Sequence, residues 1–197
     1  AGGLGSVANA TEVAGTTVTA AVTTANGAPV SFTGNFGRAT VTSSGDGILN
    51  VNSATMGTAA FSVVGGTTLQ GTAAKLDGVT ASGLGTVAVT ALDDTAAADL
   101  TGLTATSVTA AVGLVNETVS FTGKLGAAAV TISGTAGAAD DIFNVDGATM
   151  GTATFSVGAD AILQGTAAKL DGVTATGTGT VAVTALDDTA AADLTGL

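Results

Sequence analysis

The chain of 197 residues contains no His, Cys, Trp or Tyr, and a single proline, Pro29. Each absence removes a kind of chemistry. Without His there is no side chain whose ordinary pKa lies near neutrality, and no imidazole to ligate a metal. Without Cys there is no thiolate nucleophile, no disulfide and no Cys-type zinc site. The cations are Arg38, Lys75, Lys124 and Lys169 alone, and the net charge is −11. That balance leaves no basic patch for phosphate, which argues against nucleic acid and anionic membranes as partners. Mean hydropathy is +0.58. Even so, Thr, Ser, Gly and Asp interrupt every apolar stretch before the ~18 residues of a membrane span, so membrane insertion is not expected.

Large side chains are also scarce. Hydrophobic residues make up 46% of the chain, but only six are Phe and two are Met. Buried aromatics cover roughly 150–250 Å² each and fill the thick cores of ordinary domains. A chain with so few is predicted to have a thin core, shared along its length. No signal peptide is visible, so the expectation is a mature protein that starts after one, or a piece of something longer. High Thr, Ala and Gly with little Lys fits the exterior of a bacterial or archaeal cell.

What the chain has is repetition. Residues 54–103 and 148–197 match at 42 of 50 positions, at an offset of 94. Upstream, VSFTG at 30–34 returns at 119–123, and VTAAV at 18–22 returns at 108–112. The copies are therefore 1–103, with a divergent start, and 104–197. The offset grows from 89 to 94 between Val41 and Asn50, which places a five-residue insertion near Gly134–Asp140 of the second copy. A strand cannot absorb such an insertion, whereas a surface loop can. Leu197 is the counterpart of Leu103, after which another unit follows, so continuation or coverage by another subunit is expected.

Within each copy short alternating runs recur, punctuated by Gly or Asp. In the second copy they are 107–112, 118–123, 128–133, 142–145, 153–157, 161–165, 172–176, 180–184 and 192–197. Alternation marks half-buried strands. TAAKLDG (72–78 and 166–172) and DDTAAADL (93–100 and 187–194) break the pattern and suit single helical turns capped by Thr or Asp. The prediction is an all-β, parallel β-helix-like solenoid with roughly three coils per copy. Tandem β-sandwich or jelly-roll modules are the alternative, disfavoured because no large anchor residue is present.

The stretch LQGTAAKLDGVTATGTGTVAVTALDDTAAADLTGL (163–197) resembles the Thr/Ala/Gly-rich arrays of bacterial β-strand-repeat surface proteins, a group of S-layer-like proteins and large repetitive adhesins. The resemblance covers almost the whole chain and rests on repeat texture. It implies an exported structural protein of a surface layer, filament or stalk, partnered by its own copies or by cell-surface glycan. Members are often calcium-dependent, yet no run here matches the nonapeptide GGxGxDxUx.

Candidate chemistry is sparse. Thirteen of the fifteen acids are Asp, the others being Glu12 and Glu117. The densest groups are Asp93, Asp94 and Asp99, their repeats Asp187, Asp188 and Asp193, and Asp140, Asp141 and Asp146. Clustered carboxylates suit calcium, but the D-x-D-x-D-G spacing is absent and turn capping is the stronger reading. Glycoside chemistry needs an acid and a base in a cleft, usually beside aromatics that stack sugar. The chain is therefore read as a non-enzyme, with no catalytic, cofactor-binding or metal-ligating residue assigned. Lys75 and Lys169, beside Asp77 and Asp171, are expected to form surface ion pairs. Asn9-Ala10-Thr11 and Asn116-Glu117-Thr118 are glycosylation sequons. Thr-rich strands such as 17–24 raise ice binding, which requires regular T-x-T ladders at a fixed coil spacing, and here they are irregular. The segment before Val18, which matches the repeat weakly, is a candidate to add a strand to a neighbouring subunit.

Overall fold

A computed structural model describes residues 19–24, 29–93, 97–137, 141–186 and 191–197. In chain order the first copy forms β1 (Thr19–Thr24), β2 (Pro29–Ser31), β3 (Thr40–Gly45), β4 (Ile48–Asn50), β5 (Ala60–Val63), β6 (Thr68–Gly71), α1 (Ala73–Leu76) and β7 (Thr80–Val89). There follow β8 (Leu103–Gly113), β9 (Thr118–Ser120), β10 (Ala129–Ser133), β11 (Ile142–Asn144), β12 (Thr154–Val157), β13 (Ile162–Gly165), α2 (Ala167–Leu170), β14 (Thr174–Gly177) and β15 (Thr180–Val183). Every strand pairing is parallel. The chain is a β-solenoid of about 8 turns. A parallel partner one coil away rules out the sandwich alternative, whose sheets are antiparallel.

The coil is shorter than the sequence suggested. Thr40 pairs with Ala60, and Ala60 with Thr80, so one coil takes 20 residues and a copy holds about four coils rather than three. The reason is the third side. Its contacts are single bridges such as Asn35 to Thr55 and Lys124 to Thr149, which leave no alternating run to read. The run 192–197, expected as a strand, belongs to that side and is a turn. The helical turn at 73–76 forms as expected, although the Thr72 hydroxyl makes no capping bond. Among the described residues of DDTAAADL no helix forms, and residues 94–96 and 187–190 lie outside them. No helix among the described residues is long and apolar enough to cross a membrane.

Alternation decides what is buried. In β3 the inward Val41 and Ser43 are buried while Thr40 and Thr42 are exposed. Because the register is constant, inward residues stack in columns: Val41, Phe61, Ala81 and Leu103 form one, and Leu49, Leu69, Val87 and Val108 another. Phe36 packs edge-on against Phe61, with ring centres 5.2 Å apart, and stacks on Phe32 at 4.1 Å. The core is thin, as the scarcity of aromatics implied, and each residue in it touches the coils above and below.

One glycine shows how tightly the coils approach. Gly83 sits at the corner within β7 with a φ of +119°, and a Cβ there would collide with the carbonyl oxygen of Val63 in the coil beneath. Its repeat partner Gly177 has a φ of +123° and meets Val157 in the same way.

The copies differ inside by a matched exchange. In the first, Ser43 and Thr67 are buried with hydroxyls 2.8 Å apart, and Thr67 also donates to the Val64 carbonyl at 2.7 Å. In the second, the same positions hold Ile132 and Ala161, both buried. A polar pair has been exchanged for an apolar pair, with the larger residue on the other side. Ser43→Ile alone should cost about 1–3 kcal/mol by overpacking. Thr67→Ala alone should cost about 1–2 kcal/mol by leaving a buried hydroxyl short of a partner. The double variant should be more stable than the sum of the two by about 1 kcal/mol or more, measured by urea unfolding. Strict additivity would show that the two sites do not communicate.

Candidate functional site

The acidic residues do not gather; they cap backbone. The Asp77 carboxylate accepts the N–H of Asp99 at 2.7 Å, and Asp171 accepts that of Asp193 at 2.7 Å. Asp146 accepts the N–H of Thr166 at 2.7 Å, and Asn52, in the equivalent place, accepts that of Thr72 at 2.8 Å. In each case a side chain of one coil satisfies an N–H of the next, where the turn leaves the strand ladder unable to do so. Among the described residues no three acids are placed to hold a metal ion. Asp93 is half-buried, four residues after the end of β7. Asp94, Asp140, Asp187, Asp188, Glu12 and the sequon at Asn9 lie outside the described residues.

Asp99 carries the one ion pair found among the described residues, with Lys124 at 2.7 Å. Lys124 and the Thr101 hydroxyl hold its carboxyl at about 2. Asp99 in turn raises the pKa of Lys124. Asp193 has the matching threonine contacts, from Thr195 Oγ1 at 2.7 Å and its N–H at 3.0 Å, and its carboxyl is lowered by them. The ion pairs expected from Lys75 to Asp77 and from Lys169 to Asp171 do not form. Instead Lys75 Nζ donates to the Ala54 carbonyl at 2.7 Å, and Lys169 Nζ to that of Ala148 at 2.5 Å. The Asp neighbours are already engaged with the next coil, so the ammonium turns to an unsatisfied carbonyl of the preceding one.

The inserted loop is staked by Asp141. This carboxylate is fully buried and accepts the N–H of Asn116 at 2.6 Å and that of Thr135. Its counterpart is Gly47, whose own N–H donates to the hydroxyl of the buried Thr24 at 2.8 Å. The insertion leaves the stack undisturbed: Ala129 pairs with Thr154, 25 residues on, in the same register that Thr40 keeps with Ala60. Asn116 of the second sequon is exposed on the adjoining turn, with a φ of +52°.

The outward positions of the strand stack hold a pattern that linear spacing concealed. On β8, β10, β12 and β14, Thr109, Ala129, Thr154 and Thr174 form one exposed column. Ala111, Thr131, Ser156 and Thr176 form a second beside it. Neighbouring strands stand ~4.8 Å apart, and alternate residues of one strand ~6.7 Å, so these small side chains make a two-dimensional array, over part of which lies an open hollow of about 340 Å³. The insertion and the uneven corners hide this regularity from a scan for fixed spacing.

Between the copies the stack takes a step. The start of β8 covers the first half of β7, with Ala81 paired to Leu103, and its later part covers the second half, with Val89 paired to Ala110. The next strand, β10, rests on residues 109–113. The first-strand stack of the second copy thus stands on the second-strand stack of the first. Residues 103–106 are left as a ledge, and above it lies an open notch of about 520 Å³ bordered by Leu103, Thr106, Val108, Gly126 and Thr152.

No family model, curated protein or solved structure matches the chain.

The Asp99–Lys124 pair makes a pH-dependent prediction. The folded pKa of Asp99, about 2, lies below its ordinary value of 3.8. Its contribution to stability is therefore present above that ordinary value and lost as pH falls through the folded one. In carbon-detected NMR the Asp99 carboxyl should titrate near 2. Lys124→Gln should move its midpoint upward, towards that of Asp193. An unchanged midpoint would show that the lysine is not the main cause.

Proposed function

We propose that the chain is a non-catalytic structural segment of a bacterial or archaeal cell exterior, part of a surface layer, filament or adhesive stalk. The observation that supports this most directly is the parallel stacking of coils, which carries one copy onto the next through the β7–β8 ladder. Each coil meets only its neighbours, so length is gained by adding copies without redesign of the core. The resemblance of the repeat to bacterial β-strand-repeat surface proteins points the same way, as does an acidic surface that discourages unwanted edge pairing. Its partners in this reading are further copies of itself, with cell-surface glycan as a lesser candidate, and it requires no cofactor. Immunogold labelling of intact cells of the source organism should decorate the outer surface. Label that appears only after permeabilisation would overturn the proposal.

The hydroxyl columns favour a second reading, a module that binds an ordered surface such as ice. Rows of Thr and Ser at two fixed spacings can hold water in a lattice-like layer. In that case the purified protein should inhibit ice recrystallisation, and Thr131→Tyr, which interrupts the array at an exposed position, should abolish the effect without unfolding the coil. Ice that grows as in buffer alone would remove this reading.

A further inference from the structure

We infer that Asn116 is the attachment site of an N-linked glycan, carried on the turn between β8 and β9. This rests on the reading of the chain as part of a cell exterior and adds a covalent modification to it. The motif is Asn116-Glu117-Thr118, an N-x-T acceptor, which requires a surface loop. The fold provides one: Asn116, Glu117 and Thr118 are all exposed.

Every other asparagine among the described residues has a structural task. Asn35, Asn50, Asn52 and Asn144 each accept a backbone N–H through the amide oxygen, at 2.8 to 3.0 Å. Asn116 differs. Its backbone N–H donates to the buried Asp141 carboxylate at 2.6 Å. Among the described residues, neither its side-chain amide nor the Thr118 hydroxyl has a hydrogen-bond partner. The φ of +52° accounts for an Asn, Asp or Gly at 116. It does not account for Thr118. That residue opens β9 opposite Ile142, and in the first copy the same place, opposite Ile48, holds Pro29. The ladder therefore does not need the hydroxyl. The corresponding first-copy sequence, Asn26-Gly27-Ala28, is no acceptor.

The surroundings suit a sugar. Val115, just before the motif, is 67% exposed, and the C–H face of a first sugar ring would shield it from water. The turn is pinned through its backbone, by Asp141 and by the Glu117 carbonyl, which accepts the Ile142 N–H at 3.0 Å. None of these bonds uses the Asn116 amide, so a glycan there leaves them in place. In the reaction, Nδ2 attacks the anomeric carbon of an oligosaccharide carried on a lipid-linked phosphate donor. The C–N bond forms as the C–O bond to phosphate breaks, the phosphate leaves with that electron pair, and one amide proton passes to the transferase.

The native protein, purified from the source organism and cut with trypsin, tests this. Cleavage after Lys75 and Lys124 releases residues 76–124, in which Asn116 is the only asparagine. Mass spectrometry with electron-transfer fragmentation should place a saccharide increment on Asn116. Expressed in the same organism, Thr118→Val should lose the increment although Asn116 remains, and Thr118→Ser should keep it. Circular dichroism of both variants should match the native chain, because residue 118 is exposed and its first-copy counterpart is proline. A bare Asn116 in the native protein overturns the inference, wherever in the cell the chain is found. So does an increment that survives Thr118→Val, or one that maps to a threonine instead of Asn116. Immunogold labelling decides the exterior reading separately: surface label with a bare Asn116 removes the glycan and leaves that reading standing.

Discussion

Constant parallel register is the constraint on which everything else in this molecule depends. A residue in one coil lies over its counterpart in the next, 20 positions later in the β3–β5–β7 stack, so each column of the core is one structural position repeated. Small and medium side chains suffice because each is held from above and below rather than from an opposing sheet. The same constraint forbids a side chain where coils touch at their corners, which is why Gly83 and Gly177 recur at matching places. It also explains why the acids cap backbone N–H groups of the adjacent coil. At a corner the ladder lapses, and a carboxylate one coil away is the nearest acceptor.

Much of this is legible in the amino-acid sequence. Alternation located most of the strands, the poverty in aromatics implied a thin core, and the change of offset marked a loop near Gly134–Asp140, of which residues 138–140 lie outside the described residues. Two things were hidden for physical reasons. The third side of the coil consists of single bridges, such as Asp99 to Lys124, whose residues carry no periodic signature. Its invisibility lengthened the expected coil. The columns of Thr and Ser were missed because periodicity along a chain is not periodicity in space: segments of 2 to 13 residues separate strands that the fold brings into line. The lysines were misread for a related reason. Neighbours in sequence at a corner point to different coils, so Lys75 finds the Ala54 carbonyl rather than Asp77.

The exchange of Ser43 and Thr67 for Ile132 and Ala161 shows that the copies are not interchangeable in detail. Each interior is consistent with itself, one with a buried hydroxyl pair and the other with an apolar one. Stacking tolerates this because a local exchange affects only adjacent coils. The step at the junction has the same origin. Ala110 pairs with Val89 on one side and Val130 on the other, so one strand serves two stacks while the register is kept.

The corner staked by Asp141 separates the size of a loop from the rise of the coil. Five added residues leave the β10–β12 pairing in place, since the buried carboxylate ties both loop ends to the body through Asn116 and Thr135. Such a corner is a natural display platform. A foreign peptide inserted between Ala136 and Gly137 would project from a fixed height on the rod, and in a multi-copy array a graft in every unit would appear at regular intervals, like rungs on a mast.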